Sequence, residues 1–320
     1  MGIIRWGIIG CGNVAQEKTT PAFQEAKGAQ ISAVMARNLD RAEEFAIQHH
    51  IPNYFDNVDD LITAPFVDAL YIATPPDAHL EIALKVADAK KPCCIEKPFG
   101  LSFQQSRIIS TAFEKKGLPL FVSYYRRLLP KFQHIKALLD QQVIGPLSAV
   151  DIKLIRPAHE RDEALHWRID PQRSGGGYFT DLGSHMLDLL HYLIGEIIEV
   201  DGIAVQQDNQ ETTPNSIAAH FRFNNNVLGS GLWHFDSFGD EDVITLYGDE
   251  GTLQFSVFKD STIILNTQAG RELINLPHPK HVQLPHIQAM QADINGKAES
   301  PCRAFYAERT NWVIDQILGR

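Results

Sequence analysis

Residues 3–15, IIRWGIIGCGNVA, carry an apolar strand pattern directly into a glycine turn. Gly10, Gly12 and Ala15 make a GxGxxA turn between that strand and a helical stretch. Glycine at 10 permits the tight turn, and glycine at 12 lets the backbone approach a pyrophosphate. Alanine at 15 lets helix and strand pack closely, with the helix N-terminus facing the phosphates. Asn13 and Val14 lie within the same expected contact surface. A glycine turn without ligand is the bland alternative, but strand, turn and helix in this order point to a dinucleotide site on a parallel sheet.

Outward from that turn, short apolar runs alternate with amphipathic stretches as far as Ser123, the pattern of strands joined by helices. The runs are IIRWGII, QISAVM, VDALYIA, PCCI and LPLFVS, with a weaker one near Tyr54. Helices are expected at Leu39–His49, with Asn38 as N-cap, at Asp77–Lys90 and at Ser102–Lys116. Pro21 reads as a first-turn proline, so the first crossover is expected as two short helices. After Arg127 a helix at Lys131–Gln142 and a long strand at Leu147–Ile155 lead into a run of strands from Ile197 onward, joined by turn signals such as NNN and GDEG. The expected fold is therefore α/β: a doubly wound parallel sheet over residues 1–125, then an α+β domain over 126–320 with a large, mostly antiparallel open sheet. A segment rich in proline and histidine, Pro277–His286, is expected as loop.

Composition narrows the partners. A chain of 320 residues is long enough for two cores, and no apolar stretch is long enough to span a bilayer. A net charge of −10 without a lysine or arginine run argues against nucleic acid and anionic membranes, leaving small molecules. Met1–Trp6 does not read as a signal peptide, and Cys11, Cys93, Cys94 and Cys302 match neither a disulfide framework nor a metal spacing, so a reducing cytoplasm is expected. One exposed sheet face would suit a homo-oligomer, a dimer or a dimer of dimers.

Four further motifs carry chemistry. The second strand ends in Ala36 and Arg37 where NAD sites place a carboxylate; a guanidinium there suits a 2′-phosphate, so NADP is expected ahead of NAD, with Asp40 on the ribose as the alternative. Thr74, Pro75 and His79 follow the fourth strand and are read as a floor for the nicotinamide half, against an ordinary turn with a capping histidine. Glu96 and Lys97 of CIEKPFG follow the fifth strand, where an ammonium can stabilise a developing alkoxide; a surface pair of the two is the alternative. Within SGGGYFTDLGSHMLDLLHYLIG, Asp181, His185 and Asp188 recur at helical spacing, placing an imidazole and a carboxylate at one face. A metal is not expected there, since no second ligand group has a recognisable spacing.

These motifs together resemble the glucose-fructose oxidoreductase, inositol dehydrogenase and MocA family of NAD(P)-dependent sugar and polyol dehydrogenases. The resemblance runs through GCGNVA, YIATPPDAH, EKP, YYRR at Tyr124–Arg127, IGPL at Ile144–Leu147, WRIDP at Trp167–Pro171, GGGYFTDLGSH and TNWVIDQIL. It implies that Lys97 is catalytic, that Asp181 and His185 bind and deprotonate a substrate hydroxyl, and that the second domain mediates dimers. The expected reaction is hydride transfer between nicotinamide and a sugar, polyol or related cyclic alcohol or ketone. Arg126, Trp167, Arg168 and Tyr178 are candidate substrate contacts, with ordinary packing as the alternative for each. The rival readings are a nucleotide-sensing regulator of the same fold without chemistry, and a trans-dihydrodiol or anhydro-sugar dehydrogenase.

Overall fold

The computed structural model describes residues 2–157, 166–207 and 212–320. The chain forms two compact units, Met1–Tyr125 with Pro279–Glu308, and Arg126–His278 with Arg309–Arg320. The division after residue 125 is followed by a return of residues 279–308 to the first unit.

In the first unit, strands β1 (Ile4–Ile9), β2 (Ala29–Met35), β3 (Tyr54–Phe55), β4 (Ala69–Ile72), β5 (Cys93–Ile95) and β6 (Leu120–Val122) form one parallel sheet in the order β3-β2-β1-β4-β5-β6. Side chains alternate across it, as strand geometry requires. Trp6, Ile8, Ala69 and Tyr71 enter one buried cluster, while Ile9, Leu70, Ile72 and Ile95 enter another. The connecting helices are α1 (Thr20–Glu25), α2 (Leu39–Gln48), α3 (Val58–Thr63), α4 (His79–Asp88) and α5 (Phe103–Glu114). Asn38 caps α2, its Oδ1 accepting from the Arg41 N–H at 2.8 Å. The first crossover consists of two short helical pieces, and the first of them, Ala15–Thr19, is a π-helical turn that leads into α1. Pro21 has no N–H to return to the carbonyl four residues back, so the regular ladder cannot run through this point.

The second unit carries α6 (Pro130–Asp140), β7 (Leu147–Pro157), the short turns α7 (His166–Ile169) and α8 (Pro171–Ser174), α9 (Ser184–Leu193), then β8 (Ile197–Val205), β9 (Ser216–Phe223), β10 (Leu228–Ser237), β11 (Glu241–Gly248), β12 (Gly251–Phe255), β13 (Thr262–Thr267) and β14 (Gly270–Asn275). Its eight strands form one sheet, β14-β13-β12-β11-β7-β10-β9-β8, antiparallel except for the β7–β10 pair. One face is buried: Phe132 of α6 meets Phe255 edge-on, and Trp233 meets Phe179. The other face presents Ile203, Leu228, Leu232, Tyr247 and Leu273, all exposed.

The expected loop at 277–286 is found over 277–283, and α10 (Leu284–Ile294), with Pro285 in its first turn, begins within it, followed by α11 (Ala304–Leu318). Ile287 and Met290 of α10 lie in the cluster of Trp6 and Phe23, which is why this late segment joins the first unit. Asp293 holds the following turn, accepting from Arg303 Nε and Nη2 at 2.8 and 2.7 Å and from the Ser300 N–H. No described helix is long and apolar enough to cross a membrane. Ile287→Ala is expected to cost about 2–5 kcal/mol of unfolding free energy; a denaturant titration showing no loss would contradict the membership of α10 in the first core.

Candidate active site

In the parallel sheet, Ile9 is level with Met35 and Ile72, Ile72 with Ile95, and Ile95 with Val122. One residue further on, the main-chain ladder continues: Gly10 donates to Met35, Ala73 to Ile9, Glu96 to Ile72 and Ser123 to Ile95, at 2.8–2.9 Å. The dinucleotide turn, the TPP turn and the EKP turn therefore leave neighbouring strands at the same height, on the C-terminal edge where open α/β sheets keep their ligands. Ala36 and Arg37 leave β2 on that edge as well.

Gly10 has φ +107°, and a Cβ there would meet the Ala73 carbonyl oxygen at 2.8 Å, so no side chain fits. A Cβ at Gly12 would have nothing within 4 Å, which leaves the turn open where a diphosphate would lie. The residues present thus fit a dinucleotide. Arg41 Nε donates to the Cys11 carbonyl at 3.1 Å, so a second guanidinium lies against this turn. That residue was not singled out from the sequence, although its place one turn beyond the Asn38 cap was a usable signal. Arg37 and Asp40 are both exposed.

Two residues expected to line the cofactor site lie beneath it. The Glu96 carboxylate is buried, its Oε1 accepting from the Tyr71 hydroxyl at 2.6 Å and from Gln283 Nε2 at 3.0 Å, while its Oε2 accepts from the Lys97 N–H at 3.3 Å. His79 is fully buried, with Nε2 3.0 Å from the Thr74 carbonyl oxygen and Nδ1 3.1 Å from that of Pro98. Burial pushes this imidazole below its ordinary value, while the Thr74 carbonyl pulls the other way. The ring ties the TPP turn to the EKP turn, so His79 and Glu96 hold the positions of Thr74, Pro75 and Lys97. Lys97 itself is half-buried at the edge.

In the second unit the candidate residues Asp181 and His185 follow three successive glycines. Gly175, Gly176 and Gly177 have φ of 71°, 141° and 70°, conformations that favour glycine. Ser174 Oγ accepts from the Gly177 N–H at 3.0 Å, and Thr180 Oγ1 donates back to the Gly177 carbonyl at 2.9 Å. The following stretch was expected as one α-helix; instead Phe179–Gly183 is a π-helical turn and α9 starts at Ser184. Asp181 lies in the wider turn and His185, buried, in the regular helix, so their angular offset differs from that of one continuous α-helix.

Arg168 Nε donates to Asp181 Oδ2 at 2.9 Å, and the same guanidinium lies over the Trp167 ring at 4.7 Å. These three candidates are thus brought together. Tyr178 packs against Phe235 at 5.9 Å, on the inner face of β10. Asp188 is buried in a fork with Arg127, accepting from Nε at 2.8 Å and Nη2 at 2.7 Å. Burial pushes its carboxyl up although Arg127 opposes that, and desolvation together with Arg127 pushes His191 down to about 3.

Phe258 was not foreseen. Its ring meets His185 edge-on at 6.1 Å, and Arg126 lies over it at 4.5 Å, with Nη1 donating to the Val257 carbonyl at 2.6 Å. The loop that carries Phe258 is held from both polarities of its main chain. Asp242 accepts from the N–H groups of Val257, Phe258 and Lys259 at 3.0, 2.6 and 3.2 Å. Lys131, fully buried, donates to the carbonyls of Ser256 and Asp260 at 2.8 Å each, and its desolvation lowers the ammonium to about 8. No local pattern marks these contacts, because Lys131 lies 125 residues from Ser256.

Comparison with known proteins agrees with this geometry. A profile described as the oxidoreductase family, NAD-binding Rossmann fold, matches residues 4–124, and one described as the GFO/IDH/MocA C-terminal domain matches residues 132–254. An oxidoreductase of Formosa agariphila is 34% identical over 99% of this chain and 98% of its own length. The 1,5-anhydro-D-fructose reductase of Ensifer adhaerens is 24% identical over 78% of this chain and 74% of its own. Levoglucosan dehydrogenase, solved with NADH and levoglucosan, superposes with a TM-score of 0.90 at 18% identity, covering 99% of this chain and 96% of that one.

Proposed function

We propose that this chain, which belongs to the Gfo/Idh/MocA family of NAD(P)-dependent oxidoreductases, interconverts a secondary alcohol of a sugar, polyol or related cyclic compound with its ketone. The observation that supports this reading is the level register of β1, β4 and β5, by which the EKP turn leaves the same sheet edge as the dinucleotide turn, with the TPP turn between them. The named activities of the anhydrofructose reductase and of levoglucosan dehydrogenase lie in the same chemical class.

Gly10, Gly12, Asn13, Val14 and Ala15 would hold the pyrophosphate of the cofactor, and Ala36, Arg37 and Arg41 its adenosine end. When bound, the nicotinamide supplies the redox step by accepting or returning a hydride. The protein's own work is positioning and proton handling. His185 takes the hydroxyl proton of the substrate, and Lys97 donates to the same oxygen as negative charge develops there. Asp181, braced by Arg168, orients the sugar through a second hydroxyl, and Trp167 and Tyr178 offer flat surfaces to it.

Selection of NADP rests on two guanidiniums near the dinucleotide turn and on the absence of a carboxylate at the end of β2. Association rests on the exposed sheet face, where the register places Leu232 beside Ala218 and Ala218 beside Ile203 on adjacent strands. A second copy covering this face would bury an apolar surface that water otherwise meets.

With a panel of sugars and cyclic alcohols and both cofactors, Lys97→Met and His185→Ala should each lower kcat/KM by about a hundredfold or more; undiminished turnover in both would overturn the assignment. Fluorescence titration should show tighter binding of NADPH than NADH, and Arg37→Asp should reverse the order; equal affinities in the native protein would remove the NADP preference. Leu228→Glu with Leu232→Glu should shift the mass measured by light scattering to that of one chain, and a monomeric native protein would reject the interface.

A further inference from the structure

Outside the groups assigned to proton transfer, the second unit gathers cations around one ring. Arg126 lies 4.5 Å and Arg156 5.7 Å from the centroid of Phe258, the ring that also meets His185 edge-on at 6.1 Å. Two guanidiniums and the imidazole therefore share one aromatic neighbour.

The acidic groups nearby are already engaged. Asp240 is shared, Oδ1 with Arg156 Nη1 at 2.9 Å and Oδ2 with Lys259 Nζ at 3.0 Å, so one carboxylate serves two cations. Those two cations push its carboxyl below the usual range, Lys259 first. Asp242 uses both oxygens on main-chain N–H groups, and Asp181 is held by Arg168. Lys131 adds a further buried cation beneath the loop, with the Asp260 carboxylate 3.8 Å away. Among the described residues of this loop and its neighbours, four cations, Arg126, Arg156, Lys131 and Lys259, stand against three carboxylates, Asp240, Asp242 and Asp260, although the whole chain is at −10.

A neutral polyol can accept from such donors but lacks the charge-assisted gain that an anion draws from the same field. Guanidiniums present paired N–H donors whose fork matches the two oxygens of an oxyanion. We propose that the substrate carries an oxyanion, as a sugar acid or a sulfated or phosphorylated sugar does, and that Arg126 and Arg156 receive it while its carbinol faces His185. This rests on the dehydrogenase reading above and names its substrate class. The ring of Phe258 is a low-dielectric surface against which each charge contact is stronger than in water.

The test uses the full chain with NADP+ present and measures binding by calorimetry as well as turnover at the nicotinamide absorbance. Glucuronate, gluconate, galacturonate, glucose 6-phosphate and glucose 6-sulfate are compared with glucose and with glucuronamide, which keeps the shape of the acid without its charge. At least one anion should bind about tenfold or more tighter than its neutral counterpart, and the advantage should shrink as salt is added. Which anion wins separates carboxylate from phosphate or sulfate. Arg126→Met and Arg156→Met should each erase most of the advantage, whereas Arg126→Lys should retain part of it; thermal melts check that each variant is folded. Equal binding of charged and neutral sugars, no binding by any anion, or a charge preference that survives both methionine variants would each overturn the inference. Turnover of neutral alcohols without charge preference would refute it and leave the dehydrogenase reading standing, whereas charge-selective binding without any turnover would do the opposite.

Discussion

A buried carboxylate without partners is costly, and Glu96 is held beneath the edge of the parallel sheet by the Tyr71 hydroxyl and the Gln283 amide. These contacts join β4, β5 and the segment leading into α10, parts of the chain far apart in sequence. Because Glu96 directly precedes Lys97, fixing its carboxylate also fixes where the lysine leaves the strand. His79 adds a second tie, bridging the carbonyls of Thr74 and Pro98. The ammonium owes its place on the cofactor edge to polar groups that never reach the surface.

The first unit was largely legible because its signals are local. Glycine spacing, strand periodicity and the Asn38 cap act within a few residues of one another, and a parallel sheet places every strand's end on one edge. The sequence places Glu96 and His79 at the sheet edge but does not show their burial or their partners. A residue next to a ligand-bearing edge can point outward or inward, and only the partners Tyr71 and Gln283, which are remote in sequence, reveal the direction. Residues 279–308 escaped for a similar reason: the proline-rich stretch reads as loop, and nothing local says that Ile287 and Met290 complete a core begun at Trp6.

In the second unit the sequence disclosed the strands, the glycine turn and the Asp181 and His185 pair, but not the π-helical turn that carries Asp181. Hydrophobic spacing cannot distinguish five residues of wider helix from an α-helix. The loop from Ser256 to Asp260 was also silent, since Val257 and Phe258 look like the end of an ordinary strand. Asp242 and Lys131 look like surface charges until their partners, all main-chain groups of one short loop, are seen together.

That clamp has a consequence for specificity. Asp242 accepts from three N–H groups, and Lys131 donates chiefly to two carbonyls, so the loop is held by atoms that every residue type except proline possesses. The side chain at 258 can therefore change without removing the bonds that shape the loop around it. Arg126 is placed with the same independence, one Nη on the Val257 carbonyl and its plane over whatever ring residue 258 supplies. A loop built this way separates the shape of the main chain, which the clamp fixes, from the side chain at 258, which the clamp leaves open to change. Lys97, Asp181 and His185 lie in motifs visible along the sequence, whereas Phe258 lies on a main-chain clamp whose bonds do not depend on its identity.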